Sequence, residues 1–102
     1  MSKNYRVKIH SSYREIIAIC DSNLIGKQFE EGKLQIHVKE SFFGGEEMDE
    51  EQVSSIIQEG KIEDVTFNIV GKDSINIALK QRLISEEGII KIQGIPIALV
   101  LL

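Results

Sequence analysis

Glu15-Ile16-Ile17-Ala18-Ile19-Cys20 is the stretch on which the fold depends. After Glu15 every residue is apolar, so a strand here would be buried on both faces, as strands at the centre of a sheet are. Residues 5–10, just before it, alternate apolar and polar side chains, which predicts a strand with one dry and one wet face. We therefore expect a hairpin of a half-buried and a central strand, joined by a turn through Ser11-Ser12.

Downstream of this hairpin, the hydrophobic spacing changes several times between the period of a strand and that of a helix. The predicted elements are a structured loop over 24–32, a strand over 34–39, a helix from a capping box at Asp49 and Gln52 to Gly60, a strand over 65–70 ended by Gly71, a helix with Asp73 as N-cap, and two strands within 89–102, separated near Gly94 and Pro96. The order is β-β-β-α-β-α-β-β. It predicts one α+β domain over residues 1–102, with a mixed or antiparallel sheet of about five to six strands and two short helices.

The composition agrees with one domain built around a sheet. The 102 residues include 18 Ile and 6 Val against 7 Leu, and β-branched side chains fit a pleated surface. The single cysteine excludes an internal disulfide, and no segment resembles a secretory signal or a membrane span. We therefore expect a cytoplasmic protein without a membrane partner. The excess of Glu and Lys over Asp and Arg is compatible with a thermophilic source and, equally, with a biased genome.

The net charge of −4 is unevenly distributed along the chain. Residues 40–64 carry nine carboxylates and one lysine, whereas the remaining residues have a net charge of +4. The overall acidity therefore does not exclude a nucleic acid, but such a partner would have to avoid the segment Glu46–Asp64. That segment is either a solvated helix face or a docking surface for a basic partner.

Several short motifs occur in a fixed order along most of the chain. They are Cys20-Asp21 followed by Leu24, Gly26-Lys27, Phe29 and Glu31-Gly32, then Phe42-Phe43-Gly44-Gly45-Glu46, Asn68-Ile69-Val70-Gly71 and Gly94-Ile95-Pro96-Ile97-Ala98. Together they resemble an archaeal family of uncharacterised small proteins, domain of unknown function 424. The resemblance implies an archaeal cytoplasmic protein and supplies no activity. In the family the last motif often carries a histidine and a glutamine, where this chain has Ile97 and Leu99.

Cys20 and the two histidines are the candidates for nucleophilic chemistry, since a reactive thiol needs a base or a cation within hydrogen-bond reach. The predicted hairpin places Cys20 opposite Lys3 or Asn4, roughly 20 Å from His10 at the turn. His37 is the other candidate partner of the Cys20 thiol. The alternative interpretation is that Cys20 is a small core residue. Asp21 has two candidate roles: it acts as a general acid or base, or it caps a turn. We assign no catalytic residue, and we expect no metal or cofactor because no set of ligands has metal-site spacing.

Two glycine-lysine pairs suggest contacts with an anion. The candidates are Gly71-Lys72, with Asn68 in the strand before them, and Gly26-Lys27. Gly71-Lys72 lies between a predicted strand and helix, where free N–H groups and the helix dipole can hold a phosphate. It is not a P-loop, since Thr66 occupies the position of the first glycine. The alternatives are a tight turn capped by Asp73 and, at Gly26, a residue that needs positive φ.

The segment Phe42-Phe43-Gly44-Gly45-Glu46-Glu47 combines two adjacent rings with a glycine hinge. Either both rings enter the core, or the second faces a partner or covers a pocket. Phe43, Gly44, Gly45 and Glu46 are therefore candidate binding residues.

Basic side chains occupy the wet faces of the first and third predicted strands. They are Arg6, Lys8 and His10 in the first strand and His37 and Lys39 in the third. If these strands are neighbours, they form a mildly basic surface typical of RNA contact, although no aromatic side chain interleaves to stack a base. The alternative is a solvated strand face.

Three hypotheses of function follow. The first is a non-enzymatic binding module that contacts RNA or a translation-related protein. The second is a small enzyme or ligand binder whose pocket gathers Cys20, Asp21, Lys27 and Glu46. The third is a homo-oligomer formed through the apolar C-terminal strand, which we expect to be central or to pair with a second subunit, because an uncharged apolar edge is hazardous.

Overall fold

The computed structural model describes residues 4–11 and 13–102 of the chain. Within these residues it contains eight strands and three α-helices: β1 (Tyr5–His10), β2 (Glu15–Asp21), β3 (Gln28–Glu31), β4 (Leu34–His37), α1 (Glu40–Phe43), β5 (Glu46–Met48), α2 (Glu50–Gly60), β6 (Val65–Val70), α3 (Lys72–Lys80), β7 (Ile90–Ile92) and β8 (Ile95–Leu101). Single 3₁₀ turns lie at Ser22–Leu24 and Glu86–Gly88. The predicted α+β class is confirmed.

Six strands form one mixed sheet in the order β5-β1-β2-β6-β8-β7, and β3 pairs with β4 in a second, two-stranded sheet. β2 and β6 are parallel, whereas the other pairs are antiparallel. β2 lies between β1 and β6, as its apolar sequence predicts, and Ile17 to Cys20 are buried. The core of the domain is therefore centred on the parallel pair.

Both faces of the large sheet are covered. On one face α2 and α3 pack on a core that includes Ile19, Ile57, Phe67 and Ile77. Alternate residues of the same strands point to the opposite face, where Cys20 and Val70 join a smaller cluster with α1 and the β3–β4 hairpin. The predicted capping box starts α2: the Asp49 carboxylate accepts from the Gln52 amide at 2.9 Å, and the Gln52 side chain accepts from the Asp49 amide at 3.0 Å.

The register of the first hairpin differs from the predicted one. Arg6 lies opposite Cys20, whereas the prediction placed Lys3 or Asn4 there. The connection between the strands spans residues 11–14, longer than the predicted turn through Ser11-Ser12, and this shifts the pairing. Lys3 and Ser12 lie outside the described residues.

The first and third predicted strands are not neighbours. The strand predicted over 34–39 is β4, which pairs with β3 and not with β1. β3 lies in the segment predicted to be a loop. Residues 42–47, called the Phe-Gly segment below, contain the end of α1 and the start of the edge strand β5. The continuous basic sheet surface that the sequence suggested is therefore absent from the described part of the chain.

The C-terminal strand is central along part of its length. β8 lies between β6 and β7, but β7 pairs only with Ile95–Ile97. Among the helices of residues 4–11 and 13–102, none has the length and apolarity needed to cross a membrane.

Candidate functional site

Asp21, at the carboxyl end of β2, caps α3. Because β2 and β6 are parallel, the end of β2 meets the start of the helix that follows β6. The carboxylate accepts from the Ser74 amide (2.8 Å), the Ser74 hydroxyl (2.7 Å) and the Asp73 amide (3.1 Å). The amides of the first helical turn that would hold an anion are therefore engaged by the chain's own carboxylate. The N-cap position is Gly71 and the capping side chain is Asp21, so the prediction of Asp73 as N-cap is wrong.

Gly71 allows this close approach. Its φ is +116°, a region that favours glycine, and its N–H donates to the Pro96 carbonyl at 3.0 Å. A Cβ at this position would lie 2.6 Å from both carboxylate oxygens of Asp21. Position 71 thus requires glycine both because of its positive φ and because of its contact with Asp21.

Cys20 is a core residue and not an activated thiol. It is fully buried in the smaller cluster, together with Ala18 of its own strand and Val70 of β6. Burial raises the pKa of the thiol to about 12, the charge of Asp21 acts in the same direction, and the charge of Arg6 lowers the pKa. At neutral pH the thiol is protonated, which is the unreactive form.

Ionisation of the Cys20 thiol is expected to lower the free energy of unfolding. Because folding raises the pKa of Cys20, burial of the neutral thiol stabilises the folded chain fully below the ordinary pKa of 9.0. This stabilisation is lost as the pH rises to about 12. We expect the wild type to lose stability relative to a Cys20→Ala variant between these limits. Urea unfolding of both chains at about pH 8 and about pH 10.5 measures the difference. Tyr5 is present in both chains and cancels, so a pH-independent difference contradicts the prediction.

The end of the domain where α2 and α3 begin is acidic. Burial raises the pKa of Tyr5, and the carboxylates of Asp73, Glu50 and Asp21 raise it further. A cleft of about 290 Å³ lies here, lined by Asn4, Asp21, Ser22, Asn23 and Asp73. Of the pocket predicted from Cys20, Asp21, Lys27 and Glu46, only Asp21 lines this cleft. Among the described residues, no group of three or more His, Cys, Asp or Glu is arranged to hold a metal.

The basic residues of β1 hold the Phe-Gly segment. Their side chains make hydrogen bonds to four backbone carbonyls within residues 41–45: Arg6 Nε to Gly45 (2.8 Å), Arg6 Nη2 to Gly44 (3.0 Å), Lys8 Nζ to Ser41 (2.9 Å) and His10 Nε2 to Phe42 (2.9 Å). The His10 ring also stacks on Phe42, with centroids 4.6 Å apart. Part of the basic surface that the sequence predicts for RNA contact therefore anchors a loop.

The Phe-Gly segment itself packs against the sheet. Phe43 is buried, and the half-buried Phe42 meets it edge to face at a centroid distance of 5.0 Å. At Gly45 a Cβ would overlap the carbonyl oxygen of Val7, so the second glycine is required by close contact with β1. Phe43 thus enters the core, and Phe42 packs against it from a half-buried position.

The remaining predicted residues are scattered. Gly26 has φ of +86° and donates to the Val38 carbonyl at 2.7 Å, as expected for a loop glycine. Asn68 is half-buried on β6, whereas Lys27, Glu46, His37 and Lys39 are exposed. The backbones of Gly26 and Lys27 are hydrogen-bonded to Val38, and Val38 packs with Phe43 and Val70 in the smaller cluster.

A larger cleft lies between α3 and β7. Its volume is about 590 Å³, and it is lined by Lys72, Ile75, Asn76, Leu79, Glu86, Ile89, Lys91 and Pro96. Of these residues, only Lys72 is among the binding candidates that the sequence predicts. The spacing of Ile75 and Leu79 indicates one face of a helix, but no local pattern pairs that face with residues 86–96.

Comparisons with known proteins agree with this fold. A family model described as protein of unknown function (DUF424) matches residues 9–102. The crystal structure of an uncharacterised conserved protein from Methanopyrus kandleri is similar, with a TM-score of 0.80 and 21% identity over 95% of this chain and 91% of that chain. At this identity the likeness shows the fold alone. The comparison with curated proteins gives no significant match.

Proposed function

The chain belongs to the DUF424 family of proteins of unknown function, and we propose that it is a non-enzymatic binding module whose α3–β7 cleft holds an acidic, partly apolar segment of a partner protein. The observation that carries the proposal is the combination of two lysines, Lys72 and Lys91, with an apolar floor in one cleft. Apolar contact and positive charge are the features with which this cleft would bind such a segment.

The lining of the cleft matches an amphipathic ligand. Ile75, Leu79, Ile89 and Pro96 offer apolar surface, and burial of apolar side chains against it is favourable. The two exposed lysines favour carboxylates at its rim, while Glu86 opposes them on one side. The volume of about 590 Å³ lies within the usual range of binding sites.

A protein segment fits this cleft better than RNA does. Single-stranded nucleic acids stack their bases on aromatic side chains, and none of the eight lining residues is aromatic. Four of the eight lining residues are exposed, so the cleft is a surface groove. A groove of this kind suits a chain that enters and leaves, whereas a small metabolite is usually enclosed.

Titration with synthetic peptides tests the proposal. Two twelve-residue probes with the same leucines, one carrying glutamates and the other lysines between them, are added while the methyl resonances of Ile75, Leu79 and Ile89 are followed by NMR. We expect the acidic probe to shift these methyls, and a Lys72→Glu/Lys91→Glu variant to weaken its binding about tenfold or more. A Lys61→Glu variant, outside the cleft, is the matched control. No shift by the acidic probe at millimolar concentration, or equal binding by both probes, contradicts the proposal.

RNA or an RNA-bearing part of the translation machinery is the second candidate partner. The observation that favours it is the set of exposed basic side chains on the β3–β4 hairpin and its flanks: Lys27, Lys33, His37 and Lys39. Filter binding of transfer RNA to the wild type and to a Lys33→Glu/Lys39→Glu variant separates the candidates, because that variant leaves the α3–β7 cleft intact. Loss of RNA binding in this variant alone would favour the hairpin.

A further inference from the structure

β7 forms one edge of the six-stranded sheet. On one side it pairs with β8, and on its other side no strand of residues 4–11 and 13–102 is paired with it. The two strands are joined by Gln93 and Gly94, which both have a positive φ, as the central residues of a type I′ turn do. This tight turn sets the register of the hairpin, in which Lys91 lies opposite Pro96.

The backbone of Lys91 points away from β8. Pro96 has no N–H, and its carbonyl accepts from the Gly71 amide at 3.0 Å, on the side of β8 that faces β6. In an antiparallel ladder, a pair without mutual hydrogen bonds alternates with pairs that have them. The N–H and C=O of Lys91 are therefore directed to the open side of β7, where neither has a partner in the described part of the chain.

The amides on either side of Lys91 along this edge already have acceptors. The Gln93 amide donates to Glu31 Oε1 at 2.7 Å, and the Ile89 amide donates to the Glu86 carbonyl at 3.2 Å. The open part of the edge is therefore centred on one residue. An edge of this length fits a short strand from a partner protein better than the continuous pairing of two whole sheets.

The open edge lies beside the α3–β7 cleft. Ile89 and Lys91 line the cleft from the sheet, and Ile75 and Leu79 line it from α3. Side chains of paired strands that share a face lie about 5 Å apart. A strand added to β7 would therefore place alternate side chains next to Ile89 and Lys91, on the face of the sheet where the cleft lies.

We infer that the partner segment binds in an extended conformation, as a short strand added to β7. This inference rests on the proposed function and defines how the backbone of the segment is held. The segment exchanges main-chain hydrogen bonds with Lys91. Its apolar side chains on the helix face contact Ile75 and Leu79, and its carboxylates lie near Lys72 and Lys91. The main-chain bonds contribute affinity, and the cleft contributes selectivity.

Backbone methylation of the acidic probe tests the inference. An N-methyl group removes one N–H donor, and in an added strand only alternate N–H groups face β7. Two versions of the twelve-residue acidic probe, N-methylated at the odd or at the even positions, are titrated while the methyl resonances of Ile75, Leu79 and Ile89 are followed by NMR. We expect one version to bind at least tenfold more weakly than the other, because only one of them loses the donors that face the sheet.

A pair of variants tests the same bond from the side of the protein. Lys91→Pro removes the outward N–H, whereas Lys91→Gln, the matched control, removes the same charge and keeps the N–H. Neither substitution removes a bond between β7 and β8, since Lys91 makes none with Pro96. We expect the proline variant to bind the unmethylated acidic probe at least threefold more weakly than the glutamine variant.

The outcomes separate this inference from the proposed function. If the unmethylated acidic probe binds in the cleft but its two methylated versions bind equally, the added strand is overturned and the proposed function stands. Equal binding by folded Lys91→Pro and Lys91→Gln variants also overturns the strand. If the unmethylated acidic probe does not bind, both are overturned. The methylated probes leave the protein unchanged, so their result does not depend on the folding of a variant.

Discussion

Replacement of Gly71 by alanine is expected to lower the free energy of unfolding by about 2–4 kcal/mol. The backbone at φ of +116° costs an L-residue about 1–2 kcal/mol, and the added Cβ would lie 2.6 Å from both oxygens of Asp21. The carboxylate must then move away from the amides of α3, which costs a helix cap, about 1–2 kcal/mol. Urea denaturation followed by far-ultraviolet circular dichroism measures the loss.

Gly94→Ala is the matched control for this substitution. Gly94 also has a positive φ, +79°, but a Cβ there would meet no atom within 4 Å. Its alanine variant should therefore lose only the conformational part, about 1–2 kcal/mol. Equal losses at the two glycines would show that contact with Asp21 does not matter.

Replacement of Asp21 by alanine is expected to cost about 2–4 kcal/mol. The carboxylate accepts three hydrogen bonds, and its loss leaves the amide and hydroxyl of the fully buried Ser74 without this acceptor. Hydrogen bonds to a charged group contribute about 1.5–3 kcal/mol, and buried donors without partners add a penalty. The same denaturation measurement applies. Asp49→Ala, which removes the cap of α2 at a more exposed helix end, should cost only about 1 kcal/mol.

The double variant Asp21→Ala/Gly71→Ala separates the two effects. Without the carboxylate, the Cβ added at position 71 has no oxygen to collide with, and only the positive φ remains unfavourable. The loss in the double variant should therefore be smaller than the sum of the two single losses by about 1 kcal/mol or more. Strict additivity would mean that Gly71 and Asp21 act separately.

Elements with strong local patterns were predicted correctly. The alternation in 5–10, the apolar run in 15–20 and the capping box at Asp49 and Gln52 each depend on residues near one another in sequence, and β1, β2 and α2 contain them. β3, α1 and β5 were missed because three or four residues carry too little periodicity. Each of these short elements is defined by the strand or surface it contacts.

The pairing of strands and the contacts between elements distant in sequence could not be predicted in the same way. Periodicity shows that residues 34–37 form a strand, but not that the strand pairs with β3 and leaves β1 to hold the Phe-Gly segment. Asp73 stands at a suitable position for a cap, yet Asp21 reaches the same amides from another strand. The same holds for the residues that line the α3–β7 cleft. Lys72 was predicted from the Gly71-Lys72 motif, whereas the fold alone brings Lys91 and Ile89 to the cleft.

The parallel pairing of β2 and β6 also affects how the protein forms during synthesis. Residues 22–64 separate the two strands, and a ribosome that adds roughly 5–20 residues per second needs roughly 2–9 s to produce them. Until β6 emerges, the apolar run that ends at Cys20 has β1 as its only sequence neighbour in the sheet. Such long-range pairing slows folding and leaves a hydrophobic strand edge open to the wrong partner. During these seconds the edge of β2 that β6 later covers is a part of the nascent chain that is open to incorrect pairing.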